Sequence, residues 1–200
     1  MAEGTPALTG AILAGGQSRR MGRNKAFLPF GETTLIEAVA ARLRDVCGTR
    51  LLLVTRLPEE YRGLGIPTVA DALPSGQSLT GIYTALLHAR APTFVCACDM
   101  PFLNPALIRH MASLAAGVDI VIPHHDGEYE PLHAIYTPGC LDAIRRCLER
   151  QGRNVDVLSE VRVRVVEAAE ARRFDPDLRS FTNLNTPEEY AEALRDLRPA

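Results

Sequence analysis

The sequence predicts an α/β fold: a three-layer α/β/α sandwich around a mainly parallel sheet, with an antiparallel hairpin at its edge. Three observations predict it. Short apolar runs that read as buried strands, such as 8–13, 51–54, 93–98 and 118–123, alternate with stretches of helical period. The most apolar of these runs, Thr93 to Cys98, delivers an acid, Asp99, at its C-terminal end, where open α/β sheets place ligand chemistry. Asp126-Gly127 separates two strand-like runs and is a strong hairpin signal, so one antiparallel strand joins the sheet.

The elements follow in chain order. Leu8 to Leu13 is a strand, broken only by Thr9 and Gly10. A glycine turn follows, then the short apolar piece Ala26 to Phe30, closed by Gly31. Thr34 with Glu37 forms a capping box, and Leu35, Ile36, Val39, Leu43 and Val46 share one face, so a helix runs from Thr34 to about Val46. Gly48 ends it. Leu51 to Val54 is the second strand, Pro58 to Arg62 a single helical turn, and Pro67 to Ala70 a short third strand leading to Asp71. After the loop 72–77, Leu79 to Ala89 is a helix whose first N–H groups and positive dipole end point at the loop. Asn104 caps and Pro105 starts the helix after the fourth strand. Val118 to Pro123 is the fifth strand, and Leu132 to Tyr136 is the returning hairpin strand. Pro138 to Arg150 is helical, Asn154 to Ser159 a short helix, and Arg162 to Val166 the last strand. Thr186, Pro187 and Glu189 open a C-terminal helix through Leu194 and Leu197.

Two hundred residues fit one domain spanning 1–200, and 46% hydrophobic with 23% charged content suits a packed core. A formal charge of −2 gives no footprint for nucleic acid. No apolar run approaches a membrane span, and no basic-then-apolar leader opens the chain. Five cysteines without disulfide-like spacing suit a reducing cytoplasm. Cys96 and Cys98 read as small hydrophobes of a buried strand.

The chemistry concentrates after the first strand. Gly15 and Gly16 let a ligand approach the main chain, and Arg19, Arg20, Arg23 and Lys25 bring four cations within seven residues. That arrangement suits a polyphosphate. Lys25 is the only lysine, because 21 of the 22 basic residues are arginine. An ammonium acts as a point charge where guanidinium acts as a rigid fork. Asp99 reads as a hard oxygen ligand for magnesium. Asp71, at a strand end, is a candidate ligand contact. Asn183 and Asn185 flank Leu184 and would point one way in extended chain. His124 and His125 read as exposed hairpin residues rather than metal ligands, and His133 as a strand residue. No G-x-x-x-x-G-K-[ST] and no G-x-G-x-x-G is present.

The stretch Leu13-Ala14-Gly15-Gly16-Gln17-Ser18-Arg19-Arg20-Met21-Gly22-Arg23-Asn24-Lys25 resembles the signature of nucleotidyltransferases. With Leu79-Thr80-Gly81-Ile82, Asp99-Met100-Pro101, Glu130-Pro131-Leu132 and the Asn183 to Glu189 segment, the chain is most similar to the molybdenum cofactor guanylyltransferases. That resemblance implies a Rossmann-like nucleotidyltransferase fold and transfer of GMP from GTP to molybdenum-molybdopterin, with magnesium as cofactor and pyrophosphate released. It implies GTP contacts at Leu13, Ala14, Gly15, Gly16, Lys25, Thr55, Asp71, Gly81 and Asp99, with Asp99 holding the metal and Lys25 and Arg19 neutralising phosphate charge. It puts Asn183 and Asn185 toward the pterin substrate, and molybdoenzyme-maturation proteins among the possible partners. Gln77-Ser78 stands where the family carries glycine and proline, and Thr55 where asparagine is common. A CTP-dependent molybdopterin cytidylyltransferase, a sugar-phosphate nucleotidyltransferase and a non-catalytic nucleotide-binding delivery protein are the alternatives.

Overall fold

The structure is a computed structural model, and it describes residues 8–15, 24–72 and 77–197. Its strands are β1 (Thr9–Leu13), β2 (Pro29–Phe30), β3 (Thr33–Thr34), β4 (Leu51–Thr55), β5 (Thr68–Ala70), β6 (Thr93–Ala97), β7 (Ile120–His125), β8 (Glu128–Tyr129), β9 (His133–Tyr136) and β10 (Val163–Glu167). Its α-helices are α1 (Leu35–Cys47), α2 (Ser78–Ala89), α3 (Pro105–Ser113), α4 (Leu141–Glu149), α5 (Ala168–Ala171) and α6 (Pro187–Asp196). The main sheet runs β10-β7-β9-β6-β1-β4-β5, with β8 paired to β7, and β2-β3 forms a separate small ladder.

Alternation along each strand explains the layers. Ile12, Leu53, Phe94, Cys96, Val121 and Ile135 face a core shared with α1 and α3. Their neighbours Ala11, Leu13, Leu52, Val54, Val95, Ile120 and Ala134 face a second core shared with α2 and α4. A strand pointing successive side chains to opposite faces, each covered by helices, gives three layers. A third, smaller cluster of Phe30, Leu35, Leu184 and Ala193 docks α6 beside the β2-β3 ladder.

Helix ends follow their local chemistry. The Glu37 carboxylate accepts from both the backbone N–H and the hydroxyl of Thr34, at 2.8 and 2.7 Å. These bonds hold the Glu37 pKa below its usual value. Gly48 ends α1 at φ +60°, a conformation that favours glycine. Asn104 accepts from Ala106 N–H and Leu107 N–H at the start of α3. Thr186 and Glu189 form a reciprocal box at α6.

The antiparallel strand has a different place from the expected one. The Asp126-Gly127 turn does make a β7-β8 hairpin, with His125 opposite Glu128. The returning strand β9, however, lies inside the sheet, antiparallel to both β6 and β7. Its position follows from the α3 crossover. That crossover carries the chain from β6 to a parallel β7 one strand-width too far, and the hairpin folds back into the slot. The short α5 after β10 had no signal in the sequence that singled it out.

Topology locates the functional end. From β1 the chain moves outward through β4 to β5, then returns to β6 on the other side of β1, and β1 pairs in parallel with both β4 and β6. The winding therefore reverses between β1 and β6. A crevice forms outside the carboxyl ends of strands at such a switch point. Gly15 and Asp99 both lie at that end.

Candidate functional site

The floor of the site is the carboxyl end of β1 and β6. Cys98 N–H donates to Leu13 O at 3.1 Å, which continues the pairing to the strand tips. Ala14 N–H donates to Val54 O at 2.8 Å, tying the start of the glycine turn to β4. Asp99 then sits in a tight turn, 5% exposed.

Lys25 reaches this acid from the far side of the glycine segment. It opens a three-residue 3₁₀ turn, Lys25–Phe27, and its ammonium pairs with Asp99 Oδ2. The same Nζ lies 3.3 Å from Asn185 Oδ1. Asn185 is delivered by the extended segment before α6, where Leu184 N–H donates to Asp99 O at 3.0 Å. Three residues separated by 74 and 160 positions in the chain thus meet at one point.

The second carboxylate oxygen is left over. Among the described residues, the buried side-chain polar atoms without a hydrogen-bond partner are Asp99 Oδ1 and the two ring nitrogens of His133. A buried, unpaired carboxylate oxygen at the end of a central strand is a natural seat for a hard divalent cation. The donor set fits magnesium-like ions, which take one or two carboxylates and complete their shell with water and substrate phosphates. No group of three or more His, Cys, Asp or Glu capable of holding a metal occurs among the described residues.

Asp71 joins the site from β5. Its Oδ1 accepts from the Thr84 hydroxyl at 3.1 Å, and a Cβ built on Gly15 would lie 3.6 Å from its Oδ2. Burial pushes the Asp71 pKa up, opposed by the Thr84 bond and by Arg56. Gly81, in the first turn of α2, presses on Leu13: a Cβ there would meet the two Leu13 methyl carbons at 3.0 and 3.2 Å. A glycine at this position lets the helix start approach the end of β1 closely.

The remaining expected residues are placed unevenly. Thr55 is 2% exposed, and its hydroxyl donates to Ala14 O at 3.0 Å. It supports the glycine turn from beneath rather than presenting its hydroxyl to the crevice. Asn183 donates locally to Phe181 O at 3.4 Å, and of the asparagine pair it is Asn185 that reaches Lys25. Gly16 and Arg19, like Arg20 and Arg23, lie outside the described residues.

One histidine differs from expectation. His125 is no plain exposed hairpin residue. Its ring stacks on Phe181 at 4.7 Å and 14°, and its Nε2 meets Glu130 Oε1 at 2.9 Å. Glu130 itself is half-buried, with its pKa raised by desolvation against the pull of His125. His133 is fully buried, with its ring set edge-on to Phe94 and Phe181, and burial lowers its pKa to about 4. The five cysteines are all buried and free, and burial pushes the Cys98 thiol up to about 12.

Comparison with known proteins agrees with this geometry. Residues 10–166 match the MobA-like NTP transferase domain. The chain belongs to the MobA-like NTP transferase family. A molybdenum cofactor guanylyltransferase of Desulfosudis oleivorans is 39% identical over 192 residues, covering 94% of each chain. A solved structure of molybdopterin-guanine dinucleotide biosynthesis protein A from Archaeoglobus fulgidus superposes with a TM-score of 0.81 at 30% identity, covering 94% of this chain and 97% of that one. A Methanothermobacter nucleotidyl transferase, 20% identical with a TM-score of 0.69, shares the fold. No helix among the described residues is long and apolar enough to cross a membrane.

Proposed function

We propose that this protein transfers GMP from GTP to molybdenum-molybdopterin, forming the guanine dinucleotide cofactor and releasing pyrophosphate. The observation that carries the reading is the meeting of Lys25, Asp99 and Asn185 at the β1–β6 switch point, with Asp99 Oδ1 left unpaired. The family's guanylyltransferases, similar over most of the chain, supply the substrate class.

The chemistry needs no protein nucleophile. A phosphate oxygen of the acceptor attacks the α-phosphorus of the triphosphate, and pyrophosphate leaves from the opposite side. The protein's work is positioning and charge stabilisation. The backbone of Ala14 to Gly16 receives the phosphates. Lys25 and Arg19 balance the charge that gathers on the phosphate oxygens. Gly81 and the start of α2 border the nucleotide, and Asp71 closes the side next to Gly15. Asp99, with its free Oδ1, is the residue that would hold magnesium, which supplies Lewis-acid stabilisation of the phosphate oxygens when bound. Asn185 and Asn183 approach from the α6 side, where the acceptor would enter.

We take residues 1–200 as one nucleotidyltransferase domain. The five buried free thiols suit a reducing compartment, so the cytoplasm is the location this reading favours. The deciding experiment is magnesium-dependent pyrophosphate release with molybdopterin and either GTP or CTP. Release with GTP alone is expected. Release with CTP alone would transfer the reading to a cytidylyltransferase. Nucleotide binding without release would leave a delivery protein.

A further inference from the structure

We propose that Glu189 is a positioning residue of the acceptor side: its carboxylate fixes the backbone of Asn185 and so holds the Asn185 amide oxygen at Lys25. This deepens the reading above and rests on it, because that reading gives Lys25 and Asn185 their tasks.

The need for such a device follows from where Asn185 sits. It is exposed and belongs to the extended segment before α6, yet its Oδ1 lies 3.3 Å from Lys25 Nζ. An exposed side chain on an extended segment keeps a fixed direction only if the backbone beneath it is held. On the N-terminal side Leu184 does part of this. Its N–H donates to Asp99 O at 3.0 Å, and its side chain is buried with Phe30, Leu35 and Ala193. Leu184 thereby sets which way the segment faces.

Glu189 does the rest. Its Oε2 accepts from Asn185 N–H at 2.7 Å and from Thr186 N–H at 2.9 Å. These two N–H groups belong to the two peptide planes that flank the Asn185 Cα. Peptide groups are planar, so φ and ψ are the only soft dihedrals between them. One carboxylate oxygen therefore restrains both, and with them the direction in which the Asn185 side chain leaves the backbone.

The start of α6 does not call for this arrangement. A capping box is complete when the N3 carboxylate accepts from the N-cap N–H and the N-cap hydroxyl accepts from the N3 N–H. Thr186 and Glu189 already exchange those two bonds. The bond to Asn185 N–H is additional, and it falls on the residue whose amide meets Lys25. The helix is also tied to the chain that carries Lys25. The Tyr190 hydroxyl donates to Pro29 O, and Leu28 N–H donates back to Lys25 O at 3.1 Å. The first turn of α6 thus holds Asn185 directly and is fastened just beyond the turn that presents Lys25.

The two halves of the box separate positioning from helix stability. Thr186→Ala removes the cap on Glu189 N–H but leaves the carboxylate on Asn185, so it should lower the melting temperature and leave turnover close to wild type. Glu189→Ala should lower kcat/KM for the acceptor by about 10- to 100-fold with the KM for GTP little changed, the scale of loss from misplacing a group by about an ångström. Glu189→Asp, one methylene shorter, should lose activity similarly, whereas Glu189→Gln keeps an accepting oxygen and should retain most of it. With Asn185 already replaced by alanine, Glu189→Ala should cost no further turnover.

A spectroscopic readout stands apart from activity. The chain has five asparagines, Asn24, Asn104, Asn154, Asn183 and Asn185, so ¹⁵N-asparagine labelling gives five side-chain amide signals. The Asn185 signal is the one lost in Asn185→Ala. Lys25→Ala should move it, Glu189→Ala and Glu189→Asp should move it likewise, and Thr186→Ala should leave it in place. An Asn185 signal unmoved by Glu189→Ala and Glu189→Asp overturns the proposal. So do losses in Thr186→Ala or Glu189→Gln that equal those of Glu189→Ala, or an equal cost of Glu189→Ala with and without Asn185. A wild-type protein that releases pyrophosphate from neither GTP nor CTP overturns the functional reading instead, and the Asn185 signal still decides whether Glu189 holds that residue.

Discussion

Replacing His133 by leucine should remove much of the protein's acid sensitivity. The imidazole is fully buried between Phe94 and Phe181, and neither ring nitrogen has a hydrogen-bond partner among the described residues. Burial disfavours its charged form and lowers its pKa to about 4. In the unfolded chain a histidine titrates near ~6.5. Between these values the unfolded state binds the extra proton and the folded state does not, so stability falls as pH drops from about 6.5 toward 4. At pH 4.5 the two pKa values give a loss of about 2.5 kcal/mol relative to pH 7, and the full shift corresponds to about 3.4 kcal/mol. At pH 7 the substitution should be nearly neutral, since lost ring-edge contacts of about 1 kcal/mol each offset the relief of two unpaired buried nitrogens. Urea unfolding at pH 7 and pH 4.5 measures this. The wild type should lose about 1 M more in its midpoint than His133→Leu, for a slope of about 2–3 kcal/mol per molar. Glu130 and Asp71, whose pKa values are raised by burial, work in the opposite sense and are common to both proteins. Equal acid limbs in the two proteins would refute the assignment.

Two other changes probe the site itself. Asp99→Asn keeps the shape of the side chain but removes the charge that Lys25 pairs with and the oxygen pair that suits a cation. Turnover should fall by about 10²-fold or more, and Mn²⁺ binding, followed by electron paramagnetic resonance without nucleotide, should weaken with it. Unchanged Mn²⁺ affinity would remove Asp99 as the metal holder. Gly81→Ala sets a methyl 3.0 Å from Leu13 Cδ1, so the leucine end must give way. Overpacking of about 1–3 kcal/mol, less about 1 kcal/mol of helix propensity gained, should lower the melting temperature by a few degrees, and calorimetry should show weaker nucleotide binding. A stabilised variant with wild-type affinity would show that Leu13 is free to move.

What was legible in the sequence was local. Thr34 with Glu37, Asn104 before Pro105, and Thr186 with Glu189 each write a helix start within four residues, and each helix begins there. The acid after the most apolar strand and the glycine after the first mark the two parts of the candidate site. Their meeting needed only the parallel order of β1 and β6. Contacts across long separations were not legible. Nothing near Asn185 says that its amide oxygen, and not that of Asn183, faces Lys25; the docking of Leu184 in the Phe30–Leu35 cluster decides it. Thr55 stands at the expected strand end, but its hydroxyl turns to Ala14 because that carbonyl lies beneath the glycine turn and needs a donor. His125 looked exposed because it borders an Asp-Gly turn. Phe181, 56 residues later, covers its ring. The interior place of β9 likewise depends on the width of the α3 crossover, which no residue pattern encodes.

The choice of lysine at position 25 makes physical sense from its neighbours. Asp99 has a 7% exposed side chain, and a carboxylate so buried needs a partner when no ligand is bound. A compact ammonium with three donors can serve Asp99 Oδ2 and Asn185 Oδ1 together and still turn an N–H toward the crevice. A guanidinium, planar and fork-shaped, would engage both carboxylate oxygens side by side and cover Oδ1. The two oxygens of Asp99 then differ, one pairing with Lys25 and the other left unpaired. In a chain that uses arginine at every other basic position, the single lysine falls where a bidentate partner would engage Asp99 Oδ1, the oxygen left unpaired here.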